Sequence, residues 1–329
     1  METNSHILRH RHGGRISVLG AGVAGLCAAT ALAGRGFDVE LIAPEDAPPP
    51  ASLLAGGMLA PFCEGESAPP EITRRGQAAL GWWRARTRSY SATGTLVIAP
   101  PRDRAELEHF ARATQGHVRT DPAALEPELA GRFATGLFFA EEAHIDPRLA
   151  MDELRAALEA RGVPIHGGPA SGRIVDCRGL GARDHLPDLR AVRGEMLELH
   201  APGVKLTRTL RLLHPRFPCY IVPRGQGRYM LGATMVESAR PGGITARAAM
   251  ELLSAAYTVH PGFAEAEILA TGAGLRPAFP DNIPAIRETG DRIHLNGMYR
   301  HGFLMAPVLA EEQAARLAAD PTKEAHHAH

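Results

Sequence analysis

Three glycines near the start of the chain, Gly20, Gly22 and Gly25, stand in the spacing G-x-G-x-x-G. In this spacing the first glycine permits a tight turn, the second lets a pyrophosphate approach the backbone, and the third lets a helix pack closely on a strand. The N–H groups at the start of that helix would face the phosphates. The spacing predicts a dinucleotide-binding turn that includes the backbone of Val23 and Ala24, with a purely structural glycine turn as the alternative.

The residues around this turn have the pattern of a βαβ unit. Ile16–Leu19 is a short apolar run rich in branched residues, which suits a strand buried on both faces of a parallel sheet. Residues 26–33 supply the apolar face of a helix that Gly34 and Gly36 end, and residues 38–43 form a second strand. The order of elements supports a dinucleotide site, but it does not distinguish FAD from NAD.

One expected feature of such a site is missing at the end of the second strand. The position that normally carries an acid for the ribose hydroxyls is Ala43. Glu45 lies just beyond it, and we expect either that Glu45 reaches back to the ribose or that the cofactor is held less tightly.

Length and charge limit the class of protein. The chain has 329 residues, enough for two domains, and 36 basic residues balance 36 acidic ones. This balance gives no indication of nucleic acid or of an anionic membrane as a partner. No apolar run approaches the roughly 18 residues of a membrane span, and residues 1–14 lack a signal-peptide pattern, so a cytoplasmic location is expected. Residues 1–14 are predicted to be a disordered leader, and residues 321–329 a flexible tail.

The four cysteines are far apart and show no C-x-x-C spacing. They indicate buried, reduced thiols rather than a disulfide framework or a zinc site, and no metal site is predicted.

The rest of the chain alternates between helices and strands. In the first half, helices are predicted at residues 71–88, 102–114 and from Asp146 to Gly162, and strands at residues 95–99, 136–140 and 173–177. The last of these strands leads into Gly179, which repeats the order of strand then glycine and suggests that the nucleotide domain is discontinuous in sequence.

The second half reads mainly as antiparallel sheet. Residues 192–213 are predicted to form one hairpin, and residues 219–235 another around the turn at 224–227. Thr245 caps a helix over residues 246–257, and Pro307 is predicted to open the terminal helix. The predicted nucleotide domain comprises residues 15–70, 141–190 and 266–320, and the predicted substrate domain comprises residues 71–140 and 191–265.

Six short motifs together resemble the D-amino-acid oxidase family of FAD enzymes, and most of all its glycine oxidase branch, which serves the thiamine pathway in bacteria. The motifs are GAGVAG at the N-terminus, AGGML, CYIVPR, GATM, GLRP and GMYRHGFLMAP. The resemblance runs from about Arg15 to Leu317. It implies an α/β plus α+β fold, in which a Rossmann-type FAD-binding domain, discontinuous in sequence, carries an antiparallel-sheet substrate domain.

The resemblance also implies roles at the substrate site. Arg276 of GLRP would hold the substrate carboxylate through two parallel hydrogen bonds, and Tyr220 of CYIVPR would assist it. Met235 and Met58 would line the pocket near the flavin, and Arg300 would lie beside the flavin and the substrate amine. The alternatives are core packing for the tyrosine and the methionines, and a solvent-facing side chain for Arg300. Arg276 is expected on a rigid turn.

Further positions match the segments that contact FAD in this family. They are Ala55, Gly56, Gly57, Met58, Gly179, Gly274, Arg300, His301, Gly302, Phe303 and Leu304. Related sarcosine oxidases attach their flavin through a cysteine near the C-terminal segments. Because no cysteine follows Cys219, the FAD is expected to be non-covalent.

The expected reaction is the oxidation of a small amino acid, with glycine as the leading candidate. The imine hydrolyses to the 2-oxo acid and ammonia, and dioxygen yields hydrogen peroxide, for use in thiamine thiazole biosynthesis. Three alternatives stay open: a dehydrogenase with another electron acceptor, a flavin-binding subunit without its own turnover, and an NAD-dependent enzyme. Assembly into a homo-oligomer is also left open.

Overall fold

A computed structural model describes residues 14–215 and 218–319 of the chain. In chain order its strands are β1 (Ile16–Leu19), β2 (Val39–Ile42), β3 (Met58–Leu59), β4 (Thr95–Ile98), β5 (Val118–Thr120), β6 (Gly136–Phe139), β7 (Ala143–His144), β8 (Ile165–His166), β9 (Arg173–Asp176), β10 (Arg190–His200), β11 (Thr209–Leu212), β12 (Cys219–Gly225), β13 (Arg228–Gly232), β14 (Val236–Glu237), β15 (Glu267–Ala278), β16 (Ala285–Thr289) and β17 (Arg292–Asn296). Its α-helices are α1 (Val23–Gly34), α2 (Pro61–Glu64), α3 (Pro70–Arg84), α4 (Arg104–Ala113), α5 (Pro122–Leu125), α6 (Pro147–Ala160), α7 (Ala246–Val259) and α8 (Gly302–Ala319). The predicted leader and tail lie outside the described residues, apart from Gly14.

A six-stranded sheet forms the nucleotide-binding layer, in the order β16-β17-β9-β1-β2-β8. All its neighbouring pairs are parallel except β16 with β17. Ile16 and Val18 of the central strand are buried, as the apolar run predicts. The helices α1, α6 and α8 pack into the same hydrophobic core, so the βαβ unit of the sequence stands at the centre of this layer.

A nine-stranded sheet forms the second layer, in the order β14-β10-β13-β12-β11-β4-β6-β5, with β15 along the free side of β10. Most of its pairs are antiparallel, and β12 and β13 form the predicted second hairpin. The first predicted hairpin is wrong, because β10 and β11 do not pair with each other. Instead β11 lies between β12 and β4, a long-range pairing that alternation within one segment cannot indicate.

The GLRP motif lies on a strand and not on the expected turn. Residues 267–278 form β15, which pairs with β10 along its length and sets Arg276 opposite Val192. This strand therefore belongs to the nine-stranded sheet, although the sequence grouped residues 266–320 with the nucleotide domain. Helix α3 also departs from that grouping, because its buried residues, among them Trp83, join the core of the nucleotide-binding layer.

The terminal helix begins at Gly302, five residues before the predicted start at Pro307. A proline inside a helix has no N–H to donate to the carbonyl four residues earlier. Here that carbonyl belongs to Phe303, and the indole N–H of Trp83 donates to it at 2.7 Å. A side chain from α3 therefore replaces the missing backbone hydrogen bond, and the helix continues through the proline.

Both predicted helix caps are confirmed. Asp146 Oδ1 accepts hydrogen bonds from the N–H groups of Arg148 and Leu149, and Thr245 Oγ1 accepts one from Ala248. Both carboxylate and hydroxyl satisfy donors that the first helical turn leaves without partners.

All four cysteines are buried free thiols, as expected. Burial raises the pKa of each thiol, and that of Cys219 to about 12. Within the described residues, no helix is long and apolar enough to cross a membrane.

Candidate active site

The glycine turn has the geometry that a phosphate site needs. Gly20 has φ of +93°, a conformation that favours glycine. A Cβ at Gly25 would lie 1.7 Å from the carbonyl oxygen of Gly20, so only glycine lets α1 start this close to β1. Gly22 is the N-cap and has no side chain to cover the helix end. The N-terminus of α1 therefore presents backbone donors and a positive dipole end, which suits the pyrophosphate of a dinucleotide.

A serine that the sequence analysis did not single out also reaches this helix end. Ser52 Oγ accepts a hydrogen bond from the N–H of Val23 at 3.1 Å. The first hydrogen bond inside the helix runs from Leu26 to the carbonyl of Gly22 at 3.0 Å. The N–H groups of Ala24 and Gly25 come before it, so they would be available to a phosphate.

The ribose end of the cofactor site contains no carboxylate on β2 that is free to bind it. Ala43 is half-buried and its N–H donates to the carbonyl of His166, while Glu45 is exposed in the loop that follows. Glu40 is buried within β2, where Ser17 Oγ donates to it at 2.6 Å and Ser171 Oγ at 3.0 Å. Burial alone would raise the pKa of Glu40, but these hydrogen bonds lower it to about 2. Glu40 is therefore an internal anchor, and the roles of Ala43 and Glu45 stay predictions.

The AGGML segment is fixed between the two sheets. Gly57 has φ of +67°, and a Cβ there would lie 2.2 Å from the carbonyl oxygen of Ile145. Arg224, which the sequence analysis did not name as a site residue, donates from Nη2 to the carbonyl of Gly56 and from Nη1 to that of Ile145, both at 2.8 Å. These contacts hold Ala55 and Met58 in a rigid backbone beside the N-terminal end of α1.

Arg276 is half-buried and has no carboxylate partner among the residues that the structure describes. Its guanidinium lies over Gly194 on β10, where a Cβ would stand 2.2 Å from Nη2. Its Nη1 donates to the carbonyl oxygen of Thr234 at 3.2 Å. In the described part of the chain no acidic side chain forms an ion pair with Arg276, and burial lowers its pKa. The guanidinium keeps donors available for an anionic ligand.

Tyr220 lies between two glycines, near enough to Arg276 for the charge of the guanidinium to act on its hydroxyl. A Cβ at Gly56 would lie 2.5 Å from the ring, and one at Gly232 would lie 2.8 Å from the hydroxyl oxygen. Burial raises the pKa of Tyr220, while the charge of Arg276 lowers it. The hydroxyl is therefore protonated at neutral pH and is a hydrogen-bond donor next to the guanidinium. The structure thus brings together the two residues that the resemblance assigned to the carboxylate.

Arg300 is paired with a carboxylate that the sequence analysis missed. Its Nη2 lies 2.9 Å from Glu64 Oε2, and the same nitrogen donates to Ser67 Oγ. Glu64 Oε2 is also 3.4 Å from Nδ1 of the buried His301. Burial would raise the pKa of Glu64, but the charge of Arg300 lowers it. The side chain of Arg300 is 19% exposed, so it lies against Glu64 and not in open solvent.

Met235 and Tyr299 complete the same region. Met235 Sδ lies 3.5 Å from the Tyr299 hydroxyl and 3.6 Å from Arg300 Nη1. Tyr299, with φ of +48°, donates its N–H to the carbonyl of Pro277, next to Arg276. We call the set Arg276, Tyr220, Met235, Tyr299 and Arg300 the candidate pocket.

The other residues predicted to contact the cofactor have different surroundings in the structure. Gly302 begins α8 and lies beside Val23 of α1, whose Cγ1 would stand 3.4 Å from a Cβ at this glycine. Phe303 and Leu304 are buried in the core, so only their backbone could contact a cofactor. Gly274 packs beneath Leu54, whose Cδ1 would lie 3.1 Å from a Cβ there. The carbonyl of Gly179 accepts a hydrogen bond from Asn296 at 2.9 Å.

The chain that carries these motifs matches a known protein family. A family model for FAD-dependent oxidoreductases, DAO, matches residues 15–316. The oxidoreductase ThiO of Rhizobium etli, named for thiamine biosynthesis, is 51% identical over 314 residues, which cover 92% of this chain and 96% of that protein. The glycine oxidase of Bacillus licheniformis is 36% identical over 173 residues, 50% of this chain and 43% of that protein.

A solved structure shows the same fold. The glycine oxidase of Geobacillus kaustophilus superposes with a TM-score of 0.77 at 22% identity, covering 94% of this chain and 96% of that one. The fold is therefore one that this chain shares with a glycine oxidase.

Proposed function

Because the chain belongs to the DAO family of FAD-dependent oxidoreductases, we propose that it oxidises glycine with dioxygen as the electron acceptor. The net reaction is glycine plus dioxygen plus water to glyoxylate, ammonia and hydrogen peroxide. Its similarity along nearly its whole length to an oxidoreductase named for thiamine biosynthesis supports a role in forming the thiazole of thiamine. The cofactor is FAD, and its proposed attachment is non-covalent.

The observation that carries this proposal is the environment of Arg276. A half-buried guanidinium that pairs with no acidic side chain of the described residues is complementary to a carboxylate, and Tyr220 supplies a second donor near it. Residues 14–215 and 218–319 contain no group of three or more His, Cys, Asp or Glu side chains that could hold a metal. The guanidinium of Arg276 and the hydroxyl of Tyr220 are the two donors that support an amino-acid carboxylate as the ligand.

The residues present fit the pyrophosphate and the flavin of FAD. The N-terminus of α1, with Gly20, Gly22 and Gly25, would hold the pyrophosphate, and the backbone of residues 55–58 and 300–302 would border the flavin. When bound, FAD accepts the hydride from the α-carbon of the substrate. Arg276 and Tyr220 bind the carboxylate and so orient the α-carbon, which is an advantage of position more than of acid–base chemistry.

Met58, Met235 and Tyr220 would form the wall that limits the substrate side chain. Met58 lies on β3, Met235 is 49% exposed and contacts Tyr299, and Tyr220 packs between two glycines. Glycine and other small amino acids should therefore be oxidised faster than amino acids with aromatic side chains.

Absorption spectra, oxygen uptake and peroxide formation test the proposal together. The purified protein should show a flavin spectrum, acid precipitation should release all of the flavin, and glycine should drive one peroxide per glyoxylate. Turnover of glycine with an artificial acceptor but without oxygen uptake would contradict the oxidase assignment. Faster turnover of D-phenylalanine than of glycine at saturating oxygen would contradict the substrate assignment.

A further inference from the structure

Two guanidinium groups of the candidate pocket contact adjacent residues of one short segment, Thr234 and Met235. Arg276 Nη1 donates to the carbonyl of Thr234 at 3.2 Å, and Arg300 Nη1 contacts Sδ of the next residue, Met235, at 3.6 Å. They are close enough for the charge of Arg300 to contribute to the lowered pKa of Arg276, although burial is the larger cause. Two free arginines at this spacing would suit a ligand with two carboxylates.

Glu64 prevents Arg300 from acting as a second free cation. Its Oε2 lies 2.9 Å from Arg300 Nη2, and the side chains of Glu64 and Arg300 are only 17% and 19% exposed. The pairing neutralises Arg300 in a sheltered site, where screening by water is weak. Arg276 has no such partner in the described residues, so the two arginines differ in the charge that each offers to a ligand.

The position of Glu64 is set by a rigid segment. Glu64 ends the one-turn helix α2, which follows β3 and its Met58. The backbone N–H of Cys63 donates to the buried carboxyl group of Glu142 at 2.7 Å, and this hydrogen bond anchors the helix. The backbone that carries Glu64 is therefore anchored, and from it the carboxylate reaches Arg300.

We propose that Glu64 is a specificity-determining residue that occupies Arg300 and restricts the pocket to amino acids with a single carboxylate. This inference rests on the proposed function of the same site. A second carboxylate near Arg300 finds a cation that is already neutralised, together with the like charge of Glu64. Discrimination of this kind acts by repelling the wrong ligand as well as by binding the right one.

Glu64→Gln tests the proposal, because glutamine has nearly the same shape but no charge. The substrates are glycine and iminodiacetate, which is glycine with a second carboxymethyl group on its nitrogen. The ratio of kcat/KM for iminodiacetate to kcat/KM for glycine should rise at least about tenfold, mainly through a lower KM for iminodiacetate. Tenfold corresponds to about 1.4 kcal/mol of differential binding.

Two further variants separate this effect from a general loosening of the site. In Glu64→Gln/Arg300→Gln the ratio should return to within about threefold of the wild-type value, because the gain needs the freed guanidinium. Ser67→Ala removes a neutral contact of the same guanidinium and should leave the ratio within about threefold. An unchanged ratio in a flavin-containing Glu64→Gln protein, or a gain that survives in the double variant, would overturn the proposal.

A binding measurement on the oxidised wild-type holoenzyme supplies an independent readout. Titration followed by the flavin absorption should show that malonate binds no more tightly than acetate, and that Glu64→Gln reverses this order. Malonate binding more than about threefold tighter than acetate in the wild type would also refute the role of Glu64, even if the variant did not fold. Glycine turnover by the wild type tests the proposed function separately.

Discussion

The surroundings of Arg276 and Arg300 differ in one property, the presence of a carboxylate. Both guanidinium groups are sheltered and both border the candidate pocket. Arg300 lies 2.9 Å from Glu64, whereas Arg276 contacts a main-chain carbonyl and packs beside Tyr220. Glu64 balances the charge of Arg300, whereas no acidic side chain among the described residues pairs with Arg276.

This difference shows which feature of a buried arginine indicates a binding site. Low exposure by itself does not indicate a binding site, because an arginine that is equally sheltered but paired with a carboxylate serves to stabilise the fold. A buried charge without a partner lowers the stability of the folded state. A protein that retains such a charge therefore uses it for something other than stability. For Arg276 that reason is the proposed substrate carboxylate.

The largest expected effect is on catalysis by Arg276→Ala. The substrate carboxylate then loses its bidentate partner, at a cost of about 2 to 5 kcal/mol by analogy with buried charge pairs. The value of kcat/KM for glycine should fall at least about thirtyfold while the flavin content is unchanged. Steady-state kinetics on wild-type and variant protein of equal flavin content would measure kcat/KM. A value within about threefold of wild type would contradict the role of Arg276 in binding the carboxylate.

The effects of the two arginines on folding stability should follow the opposite order, with the larger loss for Arg300→Ala. Arg300→Ala leaves the sheltered Glu64 without its cation and should lower the free energy of unfolding by about 1–3 kcal/mol at pH 7. Arg276→Ala removes an unpaired charge and should cost less. Thermal unfolding of the two variants with FAD bound would measure both losses of stability. A larger loss for Arg276→Ala than for Arg300→Ala would contradict the expected order.

The stability difference at Arg300 should depend on pH. The pKa of Glu64 is lowered from 4.5 in the fold, so its contribution is present above pH 4.5 and is lost as the pH falls below it. Without Arg300 the buried carboxyl should instead take up a proton more readily. The gap in Tm between wild type and Arg300→Ala should therefore narrow from pH 7 to pH 4, and a gap that widened would contradict the ion pair.

A smaller effect is expected from Tyr220→Phe. The change removes one hydroxyl donor beside Arg276 and keeps the ring that packs between Gly56 and Gly232. A hydrogen bond to a charged group contributes about 1.5 kcal/mol or more, so KM for glycine should rise about tenfold with little change in Tm. A loss of stability without a change in KM would instead assign Tyr220 to packing.

The sequence predicted the elements that local patterns determine. The βαβ unit, the caps at Asp146 and Thr245, and the β12–β13 hairpin agree with the structure, because glycine spacing, capping residues and turn residues act within a few positions of each other. The pairing of β11 with β4 was missed because nothing within either segment indicates a partner more than one hundred residues away.

Two failures at the site have the same cause. The start of α8 was placed at Pro307 because the donor that satisfies the freed carbonyl, Trp83, lies in a distant helix. Glu64 carries no motif of its own, and its role follows only from the approach of Arg300 in the fold. The residues with a family motif, Arg276 and Tyr220, could be named from the sequence, but the absence of a carboxylate around Arg276 in the described residues could not.

Acetate binding to the oxidised holoenzyme tests the central claim most directly, because it measures carboxylate recognition without turnover. Titrations followed by flavin absorption would compare wild type, Arg276→Ala and Arg190→Ala. Arg190 is the matched control, since its Nη1 already pairs with Glu237 Oε1 at 2.6 Å. We predict that Arg276→Ala raises the Kd for acetate at least about thirtyfold, equivalent to about 2 kcal/mol, and that Arg190→Ala changes it less than about threefold. Acetate binding by Arg276→Ala within about threefold of wild type would contradict the account.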